Sequence, residues 1–340
     1  MVFEVFARQL LLGLHIPDGF LLVPVALVWW VLTIACLAVA VRQVGSLGEQ
    51  QIPLMGVMAA FIFAAQMLNF PVLGGTSGHL LGGALAALLL GPWAGMLVMA
   101  CVVALQALLF QDGGLLALGA NIFNMGIATT AVGFLLGMPL LRAFGGKTWG
   151  LVVVGFLTAW LSVMTAAVLT SLQLVLSGVP AAIVFPPMLF VHTFIGIGEG
   201  LITVAALTFV ASTRPDLVAS LAPYLKPDLA RSRAARGTLV AVTAVGLAFA
   251  IGAAFLSPLA SASPDGLERV AEDQGFIDRA QDPAYNVLPD YTIPGLEGPV
   301  STILSGVIGL LIVFALAYGM TLLLRGRGQS GGKPHANRKP

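Results

Sequence analysis

The chain has 340 residues, of which 58% are hydrophobic and only 9% are charged, with a net charge of +1. Soluble proteins carry about 25% charged residues, so this composition excludes an ordinary soluble domain and describes a polytopic membrane protein whose segments bury apolar surface in lipid and against one another. The small net charge offers nothing to nucleic acid, and the two cysteines, Cys36 and Cys101, lie inside apolar stretches where they read as packing residues.

Residues 1–13 hold one Glu, one Arg and a short apolar run. They are too short to span and make a poor secretory signal. One reading is that this leader is not part of the working protein and that translation starts at Leu14, through a codon that bacteria can initiate with methionine. The plain alternative is an amphipathic N-terminal extension.

Apolar spans are then expected at 19–41 and 52–68. A glycine-rich stretch at 69–83 leads into a short helix ending near Gly91-Pro92, and further spans follow at 93–110, 119–141, 149–176 and 187–211. The segment 213–237 is basic, with Arg214, Lys226, Arg231, Arg233 and Arg236, and reads as a cytoplasmic linker. Two last spans, 238–256 and 300–324, enclose an acidic region that includes Asp265, Glu268, Glu272, Asp273 and Asp290, and a basic tail occupies 325–340. If nine spans alternate, Arg42, Arg142, Lys147, the linker and the tail share the cytoplasmic side by the positive-inside bias. The start of the mature chain, the 69–83 loop and the acidic 257–298 loop then share the outer side.

The protein has four histidines, and three of them, His15, His79 and His192, sit in or beside apolar spans. Imidazole is a common ligand for borderline metals, and thiolate is scarce here. If His15 is the second residue of the mature chain, the α-amine of Leu14, the amide nitrogen of His15 and its imidazole can form fused chelate rings around one ion. A second imidazole then completes a plane of four nitrogens, a geometry that suits Ni(II) and Cu(II). The plain reading of His15 is an interfacial histidine before an Asp-Gly turn.

His79 lies in Gly74-Gly75-Thr76-Ser77-Gly78-His79-Leu80-Leu81-Gly82-Gly83. If that stretch is helical, glycines one turn away on either side give the imidazole a groove without side-chain walls. A small-residue packing seam is the alternative. His192 and Glu199 are seven apart and share a helical face. Glu199, an acid well inside a span, reads equally as support for a liganding imidazole or as a carboxylic acid that holds helices together. Asp18 and Asn69 are further candidates for outer support of the site. Gly145-Gly146-Lys147-Thr148 looks like the end of a phosphate-binding loop, but Leu141 stands where the leading glycine is needed, so no ATP site is read there.

At His15-Ile16-Pro17-Asp18-Gly19-Phe20, at 69–83 and at 192–203, the sequence resembles the CbiM/NikM family, the substrate-capture components of energy-coupling-factor transporters for cobalt and nickel. Pro264-Asp265-Gly266-Leu267-Glu268 resembles the PDGLE signature of the small N component, which assists metal loading in such systems. The resemblance implies an all-α membrane protein with a bundle of about seven helices at 14–212, the linker at 213–237, a two-span module at 238–324 with an extracytoplasmic loop, and a cytoplasmic tail. It implies transported Ni(II) or Co(II) and no permanently bound cofactor. The ligands it implies are the terminal amine, the amide and imidazole of His15, and His79. It also implies a transmembrane coupling (T) component and two separate ATPase subunits as partners, and makes this chain a transporter subunit of the bacterial plasma membrane rather than an enzyme. The thirteen-residue leader departs from that pattern. Two competing readings are a vitamin-capturing component of the same transporter class, which needs neither histidine, and a membrane-embedded metal-dependent hydrolase with Glu199 as general base.

Overall fold

The computed structural model describes residues 15–44, 51–213, 236–283 and 285–330. The leader, Leu14 and most of the basic linker lie outside them. In chain order the described helices are α1 (Val23–Gln43), α2 (Gln51–Gln66), α3 (Gly83–Leu90), α4 (Pro92–Phe110), α5 (Leu118–Ala143), α6 (Thr148–Leu176), α7 (Ala181–Thr213), α8 (Arg236–Leu256), α9 (Gly266–Gln274) and α10 (Pro299–Ser330). Six of them, α1, α4, α5, α6, α7 and α10, are long and apolar enough to cross a membrane, while 52–66 and 243–259 are shorter apolar helices. The protein is a multi-pass, helical membrane protein. At about 1.5 Å per residue, eight-residue α3 covers only about 12 Å and reaches part-way across a bilayer.

Why these segments are helical and where they stop is largely a matter of Pro and Gly. Pro24 opens α1 and Pro92 opens α4, where a missing N–H costs nothing. α1 is buried at Ala26, Trp29, Thr33 and Ala40 and leaves Leu27, Val28 and Val31 exposed, a face suited to lipid. α5 is irregular: Ile122–Ala128 widens into a π-helical stretch, a feature that often marks functional sites. There the Thr129 hydroxyl donates to the Met125 carbonyl and the Thr130 hydroxyl to that of Gly126.

The glycine-rich stretch before α3 is not helical. Phe70–Val72 (β1) pairs antiparallel with Thr76–Gly78 (β2), and residues 79–82 run irregularly into α3. Gly74 and Gly75 turn the hairpin at positive φ, and Gly82 enters α3 at φ +85°. The helical groove expected around His79 is therefore replaced by a hairpin and a buried loop. Left-handed backbone at three glycines breaks the helix that their spacing suggested.

α6 and α7 pack against each other, and α5 and α3 close the bundle beside them. α8 and α10 pack on α2 through small residues. Gly246 faces Val57, and Gly309 faces the rings of Phe63 and Phe110. Arg42 lies in the last turn of α1, Arg142 in the last turn of α5, and Lys147 directly before α6. His15 precedes α1, so the basic residues lie one helix length, about 30 Å, from it.

A methyl group on Gly309 would meet Phe63 Cζ at 2.4 Å and Phe110 Cζ at 2.6 Å, whereas one on Gly319 meets nothing within 4 Å. Gly309→Ala is expected to cost about 1–3 kcal/mol through overpacking, read as a lower thermal unfolding midpoint in detergent. Gly319→Ala, on the same helix, should leave the midpoint unchanged or raise it.

Candidate metal centre

The N-terminal segment is held by a second short loop, residues 111–117. The Asn121 side-chain amide accepts from the Ile16 N–H at 3.0 Å and donates to the Ile16 carbonyl at 3.0 Å, as a neighbouring strand would. Gly114 N–H donates to the Ile16 carbonyl at 3.0 Å. The Asp18 carboxylate accepts from the Leu115 and Ala117 N–H groups, both at 3.0 Å. Gly113, at φ +95°, lets the loop pass so near that a Cβ there would lie 2.7 Å from His15 Cβ. Asp18 thus acts on backbone and braces the segment rather than facing an ion.

His15 is 3% exposed. Its Nδ1 lies 2.5 Å from Asp112 Oδ1, and the Tyr291 hydroxyl donates to Asp112 Oδ2 at 2.7 Å. Burial works against the charge on Asp112, but His15 and Tyr291 outweigh it and hold this carboxyl below its usual range. A carboxylate only accepts, so His15 Nδ1 carries a proton. Nε2 is buried with no hydrogen-bond partner among the described residues. The fused chelate suggested by the sequence needs Nδ1 turned to the ion, since only that nitrogen closes a small ring with the residue's own amide. In this structure Nδ1 faces Asp112.

His79 follows β2. Its Nδ1 donates to the Leu80 carbonyl at 2.9 Å, which leaves Nε2 as the nitrogen with the lone pair. The loop that carries it is anchored from α7, where the Glu199 carboxylate accepts from the Leu81 N–H at 2.5 Å and the Gly82 N–H at 2.9 Å. Gln66 Nε2 donates to the Leu81 carbonyl at 2.8 Å. Glu199 is fully buried and makes its contacts to backbone beside His79.

The two imidazoles meet at a cavity of about 70 Å³, with ring centroids 6.1 Å apart. One ordered water needs about 10–15 Å³, so an ion and several waters fit. The far wall carries Asn124, Thr170 and His192. Asn124 and Gln173 exchange two hydrogen bonds at 2.7 and 2.8 Å across α5 and α6. His192 donates Nδ1–H to the Met188 carbonyl at 2.7 Å and lines the cavity. Asn69 is not among the lining residues; its carbonyl accepts from the Ser261 N–H at 2.8 Å.

The acidic segment closes the cavity from outside the bundle. Ser77 N–H donates to the Pro264 carbonyl at 2.8 Å, Thr76 Oγ1 donates to the same carbonyl at 3.0 Å, and Ser77 Oγ donates to that of Ser263 at 2.8 Å. Asp265 caps α9 by accepting from the Glu268 N–H at 2.6 Å, and the Glu268 side chain accepts from the Asp265 N–H at 3.3 Å. This is a capping box, legible in the spacing Asp-Gly-Leu-Glu. A Cβ on Gly266 would lie 3.0 Å from His192 Cε1.

Among the described residues no three His, Cys, Asp or Glu side chains are grouped to hold an ion. The His15 and His79 imidazoles can serve as side-chain donors at this cavity, and any further ligands would come from backbone, the chain terminus or water. Asp112, Asn121, Asp265 and Tyr291 join the site without having been singled out as its members from sequence. For Asp112 and Tyr291 no local signal exists, because their partners are 97 and 179 residues away.

The cobalt uptake substrate-specific transmembrane region matches residues 15–217 of the chain. The chain belongs to that family. The PDGLE domain matches residues 238–326. A relative from Archaeoglobus fulgidus, provisionally named a fused nickel transport protein, NikMN, is 36% identical over 92% of this chain and 99% of its own. The fused nickel transport protein NikMN of Rhodobacter capsulatus is 28% identical over 93% of this chain and 100% of its own. The crystal structure of a truncated transition metal transporter superposes with a TM-score of 0.52 at 31% identity, covering 58% of this chain and 98% of that one.

Glu199→Ala would leave the Leu81 and Gly82 N–H groups unpaired inside the bundle, at a cost of about 1–3 kcal/mol each. Lower thermal stability in detergent and faster hydrogen exchange confined to 76–83 are the expected outcomes. A second expectation concerns pH. Burial raises the Asp265 carboxyl to about 7, and burial followed by the Asp265 charge raises Glu268 to about 8. Between about pH 4 and pH 8 the folded protein then binds more protons than the unfolded chain, so stability falls as pH rises through that window. The unfolding midpoint should drop from pH 5 to pH 8, and the drop should flatten in the Asp265→Asn/Glu268→Gln double variant.

Proposed function

We propose that this protein is the membrane substrate-binding component of an ATP-driven energy-coupling-factor importer for cobalt or nickel ions, with His15 and His79 as its side-chain ligands. The observation that carries the reading is the meeting of two buried imidazoles at one cavity, each with Nδ1 committed to an oxygen. Metal–imidazole bonds of about 2.0–2.1 Å hold two rings on one ion with centroids up to roughly 6 Å apart, and the observed 6.1 Å fits that reach. Imidazole suits nickel and its neighbours in the transition series. The names of the relatives, nickel transport proteins from an archaeon and a bacterium, support the same substrate class.

A domain order follows from this reading: a capture domain at 14–212, a basic linker at 213–237, a PDGLE module at 238–324 and a tail at 325–340. The site faces outward, supported by Arg42, Arg142 and Lys147 at the opposite helix ends. A separate T component and two ATPase subunits supply the energy, as the family resemblance implies. Where Leu14 begins the mature chain, its amine adds a ligand beside His15.

Native mass spectrometry of the whole protein, with and without added Ni(II), tests the reading and reports the N-terminus together. One bound ion is expected. His79→Ala should weaken binding by more than the about 10–100-fold typical of losing an outer partner. Binding should also weaken from pH 8 to pH 6, because liganding nitrogens must be deprotonated. Unchanged affinity in His79→Ala would refute the assignment.

A further inference from the structure

A third imidazole, His192 on α7, lines the cavity together with His15 and His79. The three differ in exposure. His15 and His79 are 3% and 7% exposed, whereas His192 is left partly open by the bundle. Of the polar side chains on its wall, Asn124 gives its two N–H groups to Gln173 and Thr170, at 2.7 and 3.1 Å, and its oxygen accepts from Gln173. That amide is spent on its neighbours, so the nitrogen this wall can offer an ion belongs to His192.

Two observations place that ring beside His79. A Cβ on Gly78, the residue before His79, would lie 2.7 Å from Ile195 Cγ1, and Ile195 is one turn along α7 from His192. The rings are also near enough for their charges to interact. Both are anchored in the same way, with Nδ1–H on a backbone carbonyl, that of Leu80 at 2.9 Å for His79 and that of Met188 at 2.7 Å for His192. This is a usual anchor of a liganding imidazole, and it makes Nε2 the nitrogen that meets the metal. Among the described residues, however, no three such side chains are grouped around one point. The three rings do not close on one ion together, and the cavity offers two positions in their place.

We infer that His192 is a loading ligand: with His79 it takes the incoming divalent ion first, and the ion then passes to His15 while His79 keeps hold of it. The inference rests on the metal-binding reading of the cavity and adds a second ion position and the order in which the two are filled. His192 comes first because it is the ring left open. His79 is shared because it lies 6.1 Å from His15, ring to ring, while its strand packs on α7 one turn from His192. An ion that exchanges waters for nitrogens one at a time does not have to shed its hydration shell at once. A ligand on that path, outside the final site, lowers the barriers to entry and exit equally and so sets rates.

The test uses the full chain in detergent, stripped of metal, as wild type, His192→Asn, His15→Ala and the double variant. Asparagine keeps an N–H where Nδ1 stands, for the Met188 carbonyl, and removes Nε2. Stopped-flow ligand-field absorption follows Ni(II) uptake, and an excess of chelator follows its release. His192→Asn is expected to slow uptake and release together, each about tenfold, or about 1.4 kcal/mol in both barriers, so that their ratio holds. Cu(II) bound to His15→Ala reports the loading position: electron spin echo envelope modulation should count two imidazoles there and one in the double variant.

Wild-type rates in His192→Asn would overturn the loading ligand while leaving the metal-binding reading in place. So would a lower affinity in which the two rates do not fall together, since a merely structural loss or a final ligand produces that pattern, and so would an equal imidazole count with and without His192. A wild-type chain that binds no Ni(II) would bring down the metal-binding reading and the loading ligand with it. If His15→Ala does not fold, the paired rates of His192→Asn decide.

Discussion

Irregular backbone inside a membrane bundle is tolerated only where each N–H and C=O finds a partner within the protein. The loop that carries His79 meets that requirement through one buried carboxylate. Glu199 takes the N–H groups of Leu81 and Gly82, and Gln66 covers the Leu81 carbonyl, so the chain can leave β2, present an imidazole and enter α3 with its polar groups satisfied. Without that anchor the stretch would have to be helical or wet. As a helix it would carry His79 on a continuous face and could not turn at Gly82 into the cavity. The position of one candidate ligand therefore depends on an acid 120 residues further along the chain, on α7.

A second constraint acts on His15. Its segment has no helix to hold it and is positioned by hydrogen bonds to 111–121, chiefly the Asn121 amide on both polar groups of Ile16. The π-helical stretch that begins at Ile122 lies immediately after this anchor and brings Asn124 to the cavity wall, paired with Gln173. The irregular part of α5 is thus the part that faces the site.

Much of this was legible in the sequence because it rests on composition and local pattern. Apolar runs bounded by Gly, Pro and Arg gave the helical membrane architecture, and the rarity of histidine in such runs pointed to His15 and His79, which the structure brings to one cavity. Glu199 was visible as an acid in an apolar segment. Its action on the His79 loop backbone was not, because that contact joins α7 to residues over 110 positions earlier. The hairpin at 70–78 was missed because glycines at a four-residue spacing imitate a helix seam, while their positive φ values emerge only from the tertiary setting. Asp265 was visible as part of an acidic loop with the PDGLE signature, and Asp112 stood out in no local pattern. Neither charge nor motif says what these carboxylates meet in the folded chain.

The cover over the cavity, Asp265 to Leu267, is attached through the backbone carbonyls of Ser263 and Pro264, which accept from Thr76 and Ser77. It belongs to the same polypeptide as the cavity and is tethered at both ends by α8 and α10. Its return after opening is therefore a unimolecular event governed by an effective concentration rather than by how many copies the membrane holds. The same contacts divided between two polypeptides would dissociate on dilution in the lipid plane. In one chain the ratio of covered to uncovered sites is a property of each molecule, independent of expression level.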